Sequence, residues 1–318
     1  MAKVLITSEY FTKFSPRAKE ILLEAGHTVI DNPYGHKFLT PEEIIPYAGE
    51  AEAFICDLEK ITREVMERAP HLKIIARRGV GVDSVDLGAA KDHGVTVART
   101  LGAVEAPVAE LVMTYILMNA RRVPALSRQM KNHVWDKQLA YSSEGKVLGI
   151  VGMGSIAKEV VRRARVFQMD IAYYDIIRNE AAEKEFGVRY LPLDDLLASA
   201  DYLSIHVPLT PETTGMFGYE TLCKCKPTAY LINTARGPIV DEEGLYRAIR
   251  EKRLSGAAID VFDVEPKTDS ILAELDEVTL TPHVATFTQE TFVRMDILAA
   301  ENVVKYFRGE IDSSKTLV

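Results

Sequence analysis

Val147-Leu148-Gly149-Ile150-Val151-Gly152-Met153-Gly154-Ser155-Ile156-Ala157 is the stretch on which the reading of the fold turns. Its first five residues are an apolar run that reads as a buried strand. A G-x-G-x-x-A turn follows, and Ile156, Val160, Ala164 and Phe167 then recur at helical spacing. Gly152 permits the tight turn and Gly154 lets the backbone approach a pyrophosphate. Ala157 is small enough for helix and strand to pack closely, and the helix N-terminus favours the anion. Asp175 ends the next apolar run, about 20 residues on, where a carboxylate accepts the hydroxyls of a ribose. A carboxylate there repels a 2′-phosphate, so the pattern selects NAD over NADP; Arg178 close by keeps the second coenzyme open.

Outward from this turn, strand and helix patterns alternate in both directions. Toward the N-terminus, Val4-Leu5-Ile6, Thr28-Val29-Ile30, Ala53-Phe54-Ile55, Leu72-Lys73-Ile74-Ile75 and Val95-Thr96-Val97 predict strands. Helix formers fill Arg17 to Ala25, Pro41 to Ala48, Thr62 to Ala69 and Ser84 to His93 between them. A long apolar helix, Glu105 to Arg122, and a polar stretch, Ser127 to Glu144, precede the turn. After it, strands are predicted at Ile171 to Tyr174, Tyr202 to His206, Ala229 to Asn233, Ala257 to Asp260 and Val278 to Leu280, then a last helix from Gln289 to Phe307. Such alternation implies parallel sheets covered on both faces. The chain has 318 residues, so two α/β domains of similar layout are expected.

Composition narrows the function. A formal charge of -8 argues against a nucleic-acid or anionic-membrane partner. The longest apolar run, Leu111 to Met118, falls short of the roughly 20 residues a membrane span needs, and the N-terminus has no signal-peptide pattern. Cys56, Cys223 and Cys225 make neither a disulfide framework nor a zinc-ligand spacing, so no metal and a reducing, cytoplasmic location are expected.

Candidate chemistry lies just beyond strand ends, where open α/β sheets bind ligands. Arg236 in Asn233-Thr234-Ala235-Arg236-Gly237 suits bidentate recognition of a carboxylate. Glu265 follows the strand ending at Asp260, and His283 follows the last strand in Thr281-Pro282-His283. Taken singly, each has an ordinary reading: a structural ion pair, a surface acid and a satisfied polar residue.

Taken together with their surroundings, these motifs resemble the D-isomer-specific 2-hydroxyacid dehydrogenases, the group that contains D-3-phosphoglycerate dehydrogenase and glyoxylate/hydroxypyruvate reductase. The resemblance is carried by Gly79-Val80-Gly81-Val82-Asp83-Ser84-Val85-Asp86, Val108-Ala109-Glu110-Leu111, His206-Val207-Pro208-Leu209-Thr210, the Asn233–Gly237 motif, Asp260-Val261-Phe262-Asp263-Val264-Glu265-Pro266, Thr281-Pro282-His283 and Ala299-Ala300-Glu301-Asn302. It implies two doubly wound parallel-sheet domains. A Rossmann cofactor domain (100–285) would be inserted in a flavodoxin-like substrate domain (1–99 and 286–318), the last helix returning to the first domain, with cleft closure excluding water. It implies hydride transfer between NAD and a small anionic D-2-hydroxy or 2-keto acid, in a homodimer joined through the Glu105–Arg122 region and the segment after it.

The resemblance also assigns roles. Arg236 would bind the substrate carboxylate and carbonyl, and His283 would donate or accept the proton. Glu265 would pair with His283, since a nearby carboxylate keeps an imidazolium available near neutral pH. Backbone N–H groups of Val80 and Gly81 would hold the carboxylate. Gly152, Gly154, Ser155, Ile156, Asp175, Thr234 and Ala235 would bind the cofactor, with Val207, Pro208 and Thr213 lining its cleft and Asp260 bonded to the nicotinamide amide.

The chain departs from these relatives at Cys56, which stands at about the position of an arginine that reaches the substrate phosphate in phosphoglycerate dehydrogenases. Lys60 or Arg78 would then supply a cation for an anionic tail, a structural ion pair being the other reading of Arg78. Val104, Pro107 and Ala285 also replace usual residues. Two other activities stay open on this scaffold: oxidation of another small anion, as in formate and phosphite dehydrogenases, and dinucleotide sensing, as in the related corepressors. Glu265 speaks against formate oxidation.

Overall fold

The computed structural model describes residues 1–35 and 37–318. The chain divides into two compact units, one of Met1–Val104 with Phe287–Val318 and one of Glu105–Thr286.

The first unit runs β1 (Lys3–Ile6), α1 (Arg17–Glu24), β2 (Thr28–Ile30), α2 (Pro41–Ala48), β3 (Ala53–Cys56), α3 (Arg63–Glu67), β4 (Ile74–Arg77), α4 (Leu87–Asp92) and β5 (Thr96–Arg99). Its five strands are all parallel in the order β2-β1-β3-β4-β5, the flavodoxin-like order. Every residue of β3 and β4 is buried, because helices cover both faces of the sheet. Leu5, Phe54, Ile75 and Val97 pack on one face with Ile44, Val65 and Ala89 of α2, α3 and α4.

The second unit opens with α5 (Glu105–Ala120) and α6 (Val123–Lys131). It continues β6 (Val147–Val151), α7 (Ser155–Val166), β7 (Asp170–Tyr174), α8 (Glu180–Phe186), β8 (Arg189–Tyr190), α9 (Leu193–Ser199), β9 (Tyr202–Ile205), α10 (Tyr219–Leu222), β10 (Tyr230–Asn233), α11 (Glu242–Arg250), β11 (Gly256–Ile259) and β12 (Val278–Leu280). The seven parallel strands lie in the order β12-β11-β10-β9-β6-β7-β8. The order reverses at β6, so the glycine turn sits where β6 and β9 diverge, the place at which such sheets receive ligands.

The final helix, α12 (Gln289–Arg308), belongs to the first unit and packs on α1; Ala299, Ala300 and Val303 share a core with Val4, Ile6 and Leu22. Burying such side chains contributes roughly 1.5–3 kcal/mol for each large one.

Three expectations need correction. The helix from Glu105 stops at Ala120, because Arg122 takes a left-handed φ of 53° and Pro124 starts a new helix within two residues. The stretch read as polar therefore begins as α6, none of whose residues is buried. Phe167 does not continue the α7 stripe: it caps the helix after its last turn and is 40% exposed, leaving Ala157, Val160, Val161 and Ala164 as the buried face. Two-residue β8 was invisible to periodicity for want of length. No helix among the described residues is long and apolar enough to cross a membrane.

Candidate active site

The glycine turn is shaped by its neighbours. Gly152 has φ 95°, and a Cβ there would lie 2.9 Å from the carbonyl of His206 and from Val207, so only glycine fits the crossing of β6 and β9. Its N–H donates to the Tyr174 carbonyl (2.8 Å), and the His206 N–H to the Val151 carbonyl (2.7 Å). Burial pushes the His206 imidazole down to about 4, leaving a neutral ring whose Nε2 meets the Ser204 hydroxyl at 2.9 Å. Asp175 lies one residue past β7, and its Oδ2 accepts the Met153 N–H at 2.7 Å.

These residues fit a dinucleotide. A Cβ on Gly154 would meet nothing within 4 Å, so the backbone at the start of α7 is open to a phosphate group. The Thr234 hydroxyl, just past β10, is buried with no partner among the described residues. Ser155 and Ile156 form the first helical residues behind the turn, and Ile176 and Ile177, 87% and 74% exposed, flank Asp175 with apolar surface. Neither isoleucine carries a motif signal in the sequence. Val207, Pro208 and Thr213 follow β9; Thr213 Oγ1 accepts the Thr210 N–H (2.8 Å) and donates to the Pro208 carbonyl (2.7 Å), holding that loop in a turn.

Beyond β10, Asn233 organises the arginine motif. Its amide accepts the Ala235 N–H and donates to the Arg236 carbonyl, each at 3.0 Å. Gly237 lets this turn lie against the next loop: a Cβ there would fall 1.9 Å from the Phe262 carbonyl carbon. Arg236 Nη1 donates to the Ala235 carbonyl (2.6 Å). After β11, the Phe262 N–H donates to Glu265 Oε1 at 2.9 Å, which turns the carboxylate back toward the strand end.

Glu265 Oε2 and His283 Nδ1 are 2.7 Å apart, with both side chains about 30% exposed. Burial works against charge on Glu265, but the hydrogen bonds from His283 and Phe262 and the charges of His283 and Arg236 outweigh it and hold its carboxyl below the usual range. His283 takes a left-handed φ of 52°, a conformation uncommon for a side-chain-bearing residue and kept here by its surroundings.

Those surroundings are Asp260. Asp260 is fully buried, with Oδ1 accepting from Val284 N–H (2.9 Å) and the Thr281 hydroxyl and Oδ2 from Ala285 N–H (2.9 Å). Its main-chain carbonyl also takes the His283 N–H at 2.7 Å. Both carboxylate oxygens bind the histidine loop, so Asp260 positions His283. Tyr115 of α5 adds to this brace, its hydroxyl 2.5 Å from that of Thr281. No local spacing in the sequence pointed to Tyr115.

In the first unit, Val80 and Gly81 follow β4 and are partly exposed. Among the described residues their N–H groups meet no acceptor, while Gly79 is tied to Thr100 through N–H to Oγ1 (2.7 Å). Arg78 is corrected. It is completely buried, with Nε 2.5 Å from Asp296 and Nη1 2.6 Å from Asp57 and 2.8 Å from Ser8. Two carboxylates neutralise it, so it belongs to the core and not to an anion site. Cys56 is buried at the end of β3, and Lys60 is exposed. No cluster suited to a metal ion occurs among the described residues.

The family model for the NAD-binding domain of D-isomer specific 2-hydroxyacid dehydrogenases matches residues 113–285. A glyoxylate reductase of Korarchaeum cryptofilum is 42% identical over 276 residues, covering 84% of this chain and 83% of that protein. A D-3-phosphoglycerate dehydrogenase of Methanocaldococcus jannaschii is 37% identical over 98% of this chain and 58% of its own length. Among solved structures, the D-lactate dehydrogenase of Aquifex aeolicus, complexed with NAD and lactic acid, superposes with a TM-score of 0.86 at 28% identity, over 99% of each chain.

Proposed function

The chain belongs to the D-isomer specific 2-hydroxyacid dehydrogenase family, and from that premise we propose that this NAD-linked oxidoreductase interconverts a small, unphosphorylated 2-keto acid, of the glyoxylate or hydroxypyruvate kind, with its D-2-hydroxy acid. The observation that carries the reading is the Glu265–His283 pair, 2.7 Å apart, at strand ends of the unit that also presents Arg236.

In the proposed reduction, Arg236 binds the keto acid and draws electron density from its carbonyl. NADH, when bound, would supply the hydride that the carbonyl carbon accepts. The bond from Nδ1 to Glu265 leaves His283 Nε2 to protonate the carbonyl oxygen as the C–O π bond breaks, and Glu265 stabilises the imidazolium before transfer. Asp175, the glycine turn and Thr234 hold the dinucleotide, and the Val80 and Gly81 N–H groups bind the carboxylate.

The absence of phosphate from the substrate is argued from charge. Cys56 offers no cation, Arg78 is neutralised by Asp57 and Asp296, and Arg77 Nη1 also bonds Asp57, at 3.1 Å. The test follows NADH absorbance with glyoxylate, hydroxypyruvate, phosphohydroxypyruvate and sulfopyruvate. The expected result is a kcat/KM at least about tenfold higher for an uncharged tail than for a phosphorylated one, a difference of about 1.4 kcal/mol. Preference for phosphohydroxypyruvate would overturn the tail assignment, and Lys60 would become its cation.

A homodimer in the cytoplasm completes the proposal. The free thiols suit a reducing compartment. From Val123 to Tyr141 the second unit exposes Val123, Met130, Val134, Trp135, Leu139 and Tyr141, an aromatic-rich and Met-containing surface of the kind protein interfaces use. Trp135, 78% exposed in one chain, is the only tryptophan. Light scattering at micromolar concentration is expected to return twice 35.4 kDa, with blue-shifted emission that moves red on dilution. A monomer mass with water-exposed emission would refute it.

A further inference from the structure

The segment after β7 is stitched to the glycine turn at both ends. Asp175 accepts the Met153 N–H at 2.7 Å, and Asn179 Nδ2 reaches the Met153 carbonyl at 3.5 Å. Arg178 stands on this short loop, three residues beyond Asp175, with 59% of its side chain exposed. An arginine there has the reach and the fork of donors to take a phosphate on the adenosine ribose.

It is engaged elsewhere. Arg178 Nε donates to Glu183 Oε1 at 2.9 Å and Nη2 to Oε2 at 2.8 Å, a bidentate pair. Glu183, only 18% exposed, is held from a second side by the Tyr173 hydroxyl at 2.8 Å, and that hydroxyl accepts the Asn179 N–H at 2.8 Å. The Tyr190 ring lies under the guanidinium, 5.8 Å from its carbon. Arg178 foremost, then Tyr173, hold the Glu183 carboxyl down at about 2, so it stays an anion at any working pH.

We propose that Glu183 is a coenzyme-specificity residue that acts by positioning: it draws Arg178 into an ion pair on α8 and so withholds the one cation of the loop from a 2′-phosphate. NADP is then rejected by two carboxylates, Asp175 through repulsion and Glu183 through sequestration. This rests on Asp175 holding the adenosine ribose. An exposed ion pair holds its arginine loosely, so the effect of Glu183 alone is modest and grows once the Asp175 charge is removed.

The test measures NADH and NADPH dissociation constants by calorimetry, independent of turnover, for the unmodified protein, Glu183→Gln, Asp175→Ser and the double variant. Glutamine keeps an acceptor for Tyr173 and loses only the charge. Glu183→Gln is expected to raise NADPH affinity about two- to fivefold, the range of an exposed pair, with NADH affinity unchanged within twofold. The double variant should gain at least about threefold more than the product of the single changes. Adding Arg178→Ala should abolish that gain, and Glu183→Asp, which keeps the charge, should not show it. An unchanged NADPH-to-NADH ratio in Glu183→Gln and in the double variant would overturn the proposal, as would a gain that survives Arg178→Ala. Failure of the unmodified protein to bind NADH would instead sink the dinucleotide assignment itself.

Discussion

His283→Ala is expected to lower kcat for keto-acid reduction about 10²- to 10⁴-fold while NADH still binds with unchanged affinity. The alanine removes the imidazole joined to Glu265 and leaves the glycine turn untouched. Because both reaction directions move the same proton, oxidation of the hydroxy acid should fall by a similar factor. A variant retaining more than a tenth of the original kcat would remove His283 from the chemistry. Glu265→Gln supplies the pH arm. The Glu265 carboxyl is held below its usual range, so it is an anion through the neutral region and favours a protonated partner. With a neutral glutamine, reduction should begin to decline at lower pH than in the unmodified enzyme. An unmoved profile would mean that the carboxylate only orients the ring.

Asp296→Ala is expected to cost about 3–5 kcal/mol of stability, the consequence of leaving the buried Arg78 charge with one of its two carboxylates removed. Arg78 is completely buried and the Asp296 side chain is 2% exposed. Burial itself pushes the Asp296 carboxyl upward, against the pull of Arg78, so the intact pair gains little over an apolar one. The double variant Arg78→Met/Asp296→Leu should accordingly lose less than Asp296→Ala, as read from urea midpoints. A larger loss in the double variant would show that the pair is a strong net stabiliser.

The same cluster sets a pH dependence. Arg77 and Arg78 face Asp57 and Asp296, and buried Glu59, whose Oε2 accepts the Asp57 N–H, is a third acid beside them. Desolvation and then Asp57 push Glu59 up to about 7 from 4.5. The folded state therefore holds this proton more tightly than the unfolded one. The resulting stability is complete below about 4.5 and is lost as pH rises through about 7. The urea midpoint should drop between pH 6 and 8, and less so in Glu59→Gln.

The candidate site was legible wherever one short stretch carries both the residue and its reason. The glycine turn, Arg236, Glu265 and His283 each lie in the loop that follows a strand, and open parallel sheets expose those loops to ligand. The alternation of apolar runs with helical patterns likewise sufficed for two parallel-sheet units, since burial on both faces leaves continuous apolar strands. What remained hidden depends on partners distant in the chain. Arg78 meets Asp296 across 218 positions, and Tyr115 meets Thr281 across 166. Asp260 meets the histidine loop 21 to 25 residues on. Backbone periodicity and turn chemistry are local, so the sequence by itself determined the fold class and nominated the candidate groups. Coulomb attraction and desolvation act through space, so only the tertiary structure decided which charges are free to meet a ligand and which are spent in the core.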